Sequence, residues 1–108
     1  MGQGQHDRRQ YVRQSVNLPC RVDGAITGGV MRVTNLSAGG CFIATRGLVT
    51  AGAEVTIHAR CAGVELALTG RVVHVVPGHG FAIEFCNLPS DTRHLLEEFL
   101  TRAPVPSY

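Results

Sequence analysis

The sequence contains no lysine, no tryptophan and few other aromatic residues. The scarcity of aromatic residues and the small net charge argue against nucleic-acid and membrane binding. Aromatic residues make up only 6% of the 108 residues, which argues against the base-stacking surfaces of single-strand nucleic-acid binders. All ten cationic side chains are arginine, and the formal net charge is only +2. A charge this small is unsuited to non-specific binding of DNA or of an anionic membrane. A small anionic ligand fits it better than a long polyanion, and no nucleic-acid partner is expected.

Long apolar runs are missing as well. No stretch of 18 apolar residues occurs, which excludes a membrane-spanning helix, and residues 1–14 lack the apolar segment of a signal peptide. We therefore expect a cytoplasmic protein without membrane insertion.

Motifs for metal binding and catalysis are also absent from the sequence. The four cysteines stand 20 or more residues apart, so we interpret each as a small apolar residue within a strand. No Gly-x-Ser-x-Gly elbow, phosphate-binding loop or His-Glu-x-x-His pair occurs, and the five histidines have no metal-ligand spacing. The sequence therefore favours a binding module over an enzyme, with no metal and no cofactor.

Short β segments separated by glycines fill the middle of the chain. Alternating apolar residues predict strands at 16–22, 30–34, 41–45, 53–61, 64–76 and from residue 81 onward. We expect residues 23–29, with three glycines, to form a turn, and Gly70 to bend the longest strand. Residues 77–80, Pro-Gly-His-Gly, predict a hairpin turn.

One helix is predicted, at about residues 90–102. Ser90 is a candidate N-cap, and Asp91 places a negative charge in the first turn, where it suits the helix dipole. An apolar stripe follows at helical spacing and consists of Leu95, Leu96, Phe99 and Leu100. A single amphipathic helix must cover an apolar surface, and the mouth or side of a small barrel would supply one.

These elements predict an all-β fold with one C-terminal α-helix. About six short antiparallel strands favour a six-stranded β-barrel, because closure removes exposed strand edges. A two-sheet sandwich is the alternative. We expect a flexible N-terminal arm at residues 1–8, a single domain over residues 9–103 and a short tail at residues 104–108.

Two polar clusters are candidates for ligand binding. The first, residues 8–13, carries Arg8, Arg9 and Arg13 just before the first strand, and the second, residues 35–40, lies in the turn between the second and third strands. One hairpin separates the clusters, so they can meet in space. Arginine offers a planar fork of donors that matches the O6 and N7 atoms of guanine or two phosphate oxygens.

The second cluster, Asn-Leu-Ser-Ala-Gly-Gly, combines short polar groups with two glycines. Asn35 and Ser37 can bond to a base edge or to the backbone. We expect Gly39 and Gly40 to let the chain turn sharply and to leave room for a flat ring.

Together the clusters resemble the PilZ domain family, whose pattern is Arg-x-x-x-Arg and then Asp or Asn-x-Ser-x-x-Gly. Here the two parts read Arg9-Gln10-Tyr11-Val12-Arg13 and Asn35-Leu36-Ser37-Ala38-Gly39-Gly40. The stretches Gly70-Arg71-Val72-Val73 and Gly80-Phe81-Ala82-Ile83-Glu84-Phe85 resemble the family's later strands. The resemblance runs from about residue 8 to residue 102.

The resemblance implies a six-stranded antiparallel barrel with a C-terminal helix, which binds cyclic di-GMP. The ligand-binding residues that it implies are Arg8, Arg9, Arg13, Asn35, Ser37, Gly39 and Gly40. A basic residue at position 8 is associated in the family with a stacked pair of ligands, so two molecules per domain are expected. Asparagine instead of aspartate at position 35 lacks a charge-assisted acceptor for the N1–H and N2–H2 groups of guanine.

The mechanism that we expect is ordering of the arginine arm by the ligand, followed by a signal to a partner protein. The alternative is a PilZ-like adaptor of pilus or motility machinery that binds no nucleotide. A small nucleic-acid-binding barrel is a third and weaker interpretation.

Overall fold

The computed structural model describes residues 13–24, 26–27 and 31–102. Within these ranges the chain forms eight strands and one helix. They are β1 (Gln14–Gly24), β2 (Ile26–Thr27), β3 (Arg32–Leu36), β4 (Gly40–Ala44), β5 (Leu48–Val49), β6 (Glu54–Cys61), β7 (Val64–Val76), β8 (Gly80–Phe85) and α1 (Ser90–Arg102). The arm at residues 1–8 and the tail at residues 104–108 lie outside the described residues.

Six of the strands close into a barrel in the order β1-β3-β4-β8-β7-β6, and each strand is antiparallel to its neighbours. The prediction of a six-stranded antiparallel barrel with one C-terminal helix is thereby confirmed, and the sandwich alternative is wrong. Strand β8, the last of the described strands, lies between β4 and β7 and completes the closure.

The barrel interior is aliphatic, as the scarcity of aromatic residues requires. Every second residue of β6 points inward and is buried, beginning at Val55 and ending at Cys61. Phe81 of β8 is the largest fully buried side chain. The other side chains that are almost completely buried are Leu36, Ile43, Ile57, Leu68, Leu96, Val33 and Val72.

Helix α1 packs on the barrel through the predicted stripe. Leu96 is fully buried, whereas its neighbour Leu95 is 38% exposed. Phe99 and Leu100 pack partly buried against the core, and Gln14 Nε2 donates a hydrogen bond of 2.6 Å to the carbonyl of Leu100. This bond ties the start of β1 to the end of the helix.

Within the described residues, no helix has the length and apolar character that a bilayer span needs.

The predicted N-cap is shifted by one residue. The Arg93 N–H donates to the carbonyl of Pro89 at 2.9 Å, which is the first helical hydrogen bond. Pro89 therefore occupies the N-cap position, and Ser90 is the first residue of the helix.

Two predictions about local structure are wrong. Residues 23–29 do not form a simple turn, because β1 continues to Gly24 and Ile26–Thr27 pair with Leu48–Val49 in a separate two-stranded sheet. The irregularity of the longest strand lies between Val72 and His74, not at Gly70. A Cβ atom at Gly70 would lie 2.5 Å from the Glu84 carbonyl oxygen, so close approach of two strands explains this glycine.

Three cysteines, Cys20, Cys41 and Cys61, lie in strands, where burial raises the pKa of each thiol. Burial raises the pKa of Cys20 to about 11, and burial also raises the pKa of Cys61. The pKa of Cys41 is raised by burial and, secondarily, by the nearby Cys20 and Cys61. Little thiolate is therefore present near neutral pH, in keeping with the interpretation of these residues as small apolar side chains. Cys86 lies one residue beyond the end of β8 and is half-buried, so the prediction that it lies within a strand is wrong.

Candidate ligand-binding site

The turn between β3 and β4 is fixed by the hydroxyl group of Ser37, which is buried. Its Oγ accepts hydrogen bonds from the N–H groups of Gly39 and Gly40, both at 3.2 Å, and donates to the Gly40 carbonyl at 3.3 Å. The Ser37 N–H donates to the same carbonyl at 2.9 Å. One donor and two acceptor positions of the hydroxyl are thus used within the turn. Ser37 shapes the backbone at this site before any ligand is considered.

The turn is also anchored to β8. The Phe85 N–H donates to the Gly39 carbonyl at 2.9 Å, and Gly40 is the register partner of Glu84. A Cβ atom at Gly40 would collide with the carbonyl oxygen of Ile83. Gly40 is therefore required by the close approach of β4 and β8.

This finding corrects the expected role of the two glycines. Among the described glycines, those with positive φ are Gly24, Gly52, Gly63, Gly78 and Gly80. Gly39 and Gly40 are not among them, so neither position depends on glycine's freedom to adopt the left-handed region.

We predict that Gly40→Ala destabilises the protein in the absence of any ligand. The added methyl group must push β4 away from β8, and overpacking of this kind costs about 1–3 kcal/mol of unfolding free energy. Urea unfolding of the unliganded variant measures this loss. An unchanged unfolding free energy would contradict the packing explanation and leave ligand contact as the reason for this glycine.

Asn35 lies in strand β3 rather than in the turn. It is the register partner of Ser15 on β1 and of Phe42 on β4, and the register of β3 and β4 shifts between Val33 and Asn35. Its side chain is partly exposed. The amide group therefore stands on the outer surface of the barrel, one strand away from Gly40 and Phe42.

A cavity of about 580 Å³ opens on this outer surface. Its described lining residues are Arg13, Asn35, Ser37, Gly39, Gly40, Cys41, Phe42, Val73, Ala82, Ile83 and Glu84. The volume lies within the range of small-molecule sites. The structure thus brings together Arg13 and four residues of the second cluster, while Arg8 and Arg9 lie outside the described residues.

The floor of this cavity consists of apolar residues that no sequence motif marks. Phe42 of β4 and Ala82 of β8 are register partners, and the exposed Val73 of β7 stands beside them at the register shift. These residues form an apolar surface on the outside of the barrel. Their positions follow from the alternation of inward and outward residues along each strand, but the pairing of β4 with β8 had to be known before they could be grouped.

The charges at the cavity suit an anionic ligand that also carries hydrogen-bond donors. Arg13 supplies a guanidinium group that can bind two phosphate oxygens or the O6 and N7 atoms of guanine. Glu84 supplies a carboxylate on the other side. Within the part of the chain that the structure describes, no group of three His, Cys, Asp or Glu side chains could hold a metal ion.

A second cavity, of about 630 Å³, is less suited to an anion. Asp23 and Glu54 line it, and no described lysine or arginine does. Although it is slightly larger, its charge is opposite to what a phosphate-bearing ligand needs.

Comparison with known proteins identifies the architecture. Residues 7–102 match the PilZ domain family. Five chains of solved structures match the fold, among them the crystal structure of the PilZ domain of CeSA from a cellulose-synthesising bacterium. That domain has 18% sequence identity and a TM-score of 0.64, and the match covers 83% of this chain and 95% of the other. No curated protein matches the sequence at a comparable level of significance.

Proposed function

Because the chain belongs to the PilZ domain family, whose members include cyclic di-GMP receptors, we propose that it is a receptor for cyclic di-GMP. One observation carries this proposal. Arg13 and the residues of the Asn-x-Ser-x-x-Gly segment, which are distant in sequence, line the same cavity. A ligand in this cavity can therefore contact both parts of the family's pattern at once.

Each residue of the site has a role that its chemistry supports. Arg13 grips a phosphate or the Hoogsteen edge of a guanine, and Arg9 and Arg8 add guanidinium groups from the preceding segment. Asn35 presents an amide that can donate and accept. Ser37 holds the turn in place, and Gly39 and Gly40 form the backbone edge beside which the ligand lies.

We further propose that the ligand orders the residues that precede β1. Fixing each backbone residue costs about 1–2 kcal/mol, and the ionic contacts of Arg8, Arg9 and Arg13 with the ligand offset this cost. The surface formed in this way is then presented to a partner protein. The basic residue at position 8 leads us to propose two ligand molecules per domain.

Calorimetric titration with cyclic di-GMP tests the proposal. We expect binding to cyclic di-GMP, with a stoichiometry of two ligands per chain, and no comparable binding of GTP or cyclic di-AMP. A stoichiometry of one would retain the receptor and reject the stacked pair. Absence of heat and of spectral change at near-millimolar ligand would overturn the receptor proposal and favour the adaptor that binds no nucleotide.

A further inference from the structure

Glu84 is a carboxylate in a cavity that is proposed to receive a phosphate-bearing ligand. It lies on β8 opposite Gly40, and its side chain is exposed. Its cross-strand neighbour Arg71 lies 3.8 Å from Glu54 and is paired with that residue. Among the described residues, the Glu84 carboxylate forms no hydrogen bond or ion pair of its own. A group of this kind needs an explanation, because a negative charge close to a phosphate weakens binding.

The ligand itself offers the explanation, because its two ends differ in chemistry. The phosphates accept hydrogen bonds and are negatively charged. The Watson–Crick edge of each guanine instead carries donors at N1–H and N2–H2, and an ionised carboxylate only accepts. The two carboxylate oxygens match these two neighbouring donors in the same way that they match the fork of an arginine. A carboxylate in this cavity is favourable where it faces donors of the ligand, and the guanine edge presents two neighbouring donors.

The strand register places Glu84 where it can face such an edge. Asn35, Phe42 and Ala82 are successive register partners across β3, β4 and β8, so their side chains leave the same face of the barrel wall. Glu84 stands two residues along β8 from Ala82, a distance of about 7 Å. Side chains stand roughly perpendicular to a sheet, so a purine on Phe42 and Ala82 has Glu84 beside it.

Gly40 keeps this region open. It lies directly opposite Glu84 and has no side chain, so nothing from β4 covers the space next to the carboxylate. Glu84 lies two strand spacings across the sheet and two residues along the strand direction from Asn35. The distance between their Cα atoms is therefore roughly 12 Å. The two polar side chains therefore flank the apolar floor without touching each other.

We infer that Glu84 is a specificity-determining residue, which accepts the N1–H and N2–H2 hydrogen bonds of one guanine seated on Phe42, Val73 and Ala82. This inference rests on the proposed function. Position 35 is asparagine and has no carboxylate. Glu84 supplies a carboxylate for the guanine edge instead. Adenine presents an unprotonated N1 at the same edge, and that acceptor faces the carboxylate unfavourably.

A binding cycle between the carboxylate and the guanine amino group tests the inference. The ligands are cyclic di-GMP and cyclic di-IMP, which lacks the N2 amino group, and the proteins are the full chain and its Glu84→Ala and Glu84→Gln variants. We expect the full chain to bind cyclic di-GMP about tenfold more tightly than cyclic di-IMP. Glu84→Ala should lower the affinity for cyclic di-GMP by about 10- to 100-fold and bind both ligands equally. The affinity of Glu84→Gln for cyclic di-GMP should lie between the affinities of the full chain and of Glu84→Ala.

Glu65→Ala is the matched control, because Glu65 is an exposed carboxylate near the opposite end of β7 and does not line the cavity. It changes the net charge equally and should leave the affinities for cyclic di-GMP and cyclic di-IMP unchanged. Tighter or unchanged binding of cyclic di-GMP by Glu84→Ala overturns the inference and shows that the carboxylate faces the phosphates or solvent. Failure of the full chain to bind cyclic di-GMP overturns the proposed function and this inference together.

Discussion

We expect Arg13→Ala to abolish binding of cyclic di-GMP while leaving thermal unfolding unchanged. Arg13 is exposed, precedes β1 and lines the cavity, and no hydrogen bond joins its side chain to another described residue. Its removal should therefore cost no stability. Two charge-assisted hydrogen bonds to the ligand contribute about 3–6 kcal/mol, which corresponds to a loss of affinity of more than about 100-fold.

Calorimetry on three variants separates this effect from a change in net charge. Arg60→Ala removes an equivalent exposed charge from β6, where the Arg60 Nη1 atom donates to the Gly63 carbonyl at 3.2 Å, and should bind normally. Arg13→Lys keeps the charge but loses the planar fork, so we expect partial loss. Arg9→Ala should match Arg13→Ala, although Arg9 lies outside the described residues. Normal affinity in both Arg9→Ala and Arg13→Ala would refute the proposed site.

Leu96→Ala is expected to have the largest effect on stability. Leu96 lies on the face of α1 that packs against the barrel and is fully buried. Truncation of a buried leucine costs about 2–5 kcal/mol of unfolding free energy. For a domain of this size the melting temperature should fall by about 10 °C or more. Thermal unfolding and urea titration measure both quantities.

Leu95→Ala is a control of identical chemistry at the next position. Because Leu95 is 38% exposed, its truncation should cost no more than about 1 kcal/mol. Equal losses of unfolding free energy in the two variants would mean that α1 does not dock through Leu96, which would contradict the burial of this residue.

Most of the barrel could be predicted from the sequence because its long strands alternate cleanly. Residues 53–61 and 64–76 were predicted almost to their ends, since inward apolar and outward polar residues alternate there. The two-residue strands Ile26–Thr27 and Leu48–Val49 were missed, because two residues show no periodicity. The sequence suggests a bend at Gly70, but the structure requires glycine there because β7 approaches β8 closely. The sequence alone does not show which strands are neighbours.

The site was only half predictable for a similar reason. Asn35, Ser37 and Gly40 stand within one short segment, so their pattern is visible in the sequence. Glu84 and Ala82 look like ordinary outward residues of β8, and only the pairing of β8 with β4 places them beside that segment. Ser37 shows a further limit, since its three hydrogen bonds within the turn could not be inferred from the pattern.

The position of β8 between β4 and β7 has a consequence for the newly synthesised protein. One of the three floor residues, Ala82, and the anchor for the Gly39 carbonyl, Phe85, belong to β8, which leaves the ribosome after the other described strands. A nascent chain that stops before Gly80 lacks Ala82, Ile83 and Glu84, so we expect it not to form the proposed site. A ligand that binds the proposed site would therefore stabilise the closed barrel, because the site exists only when β8 is paired with β4.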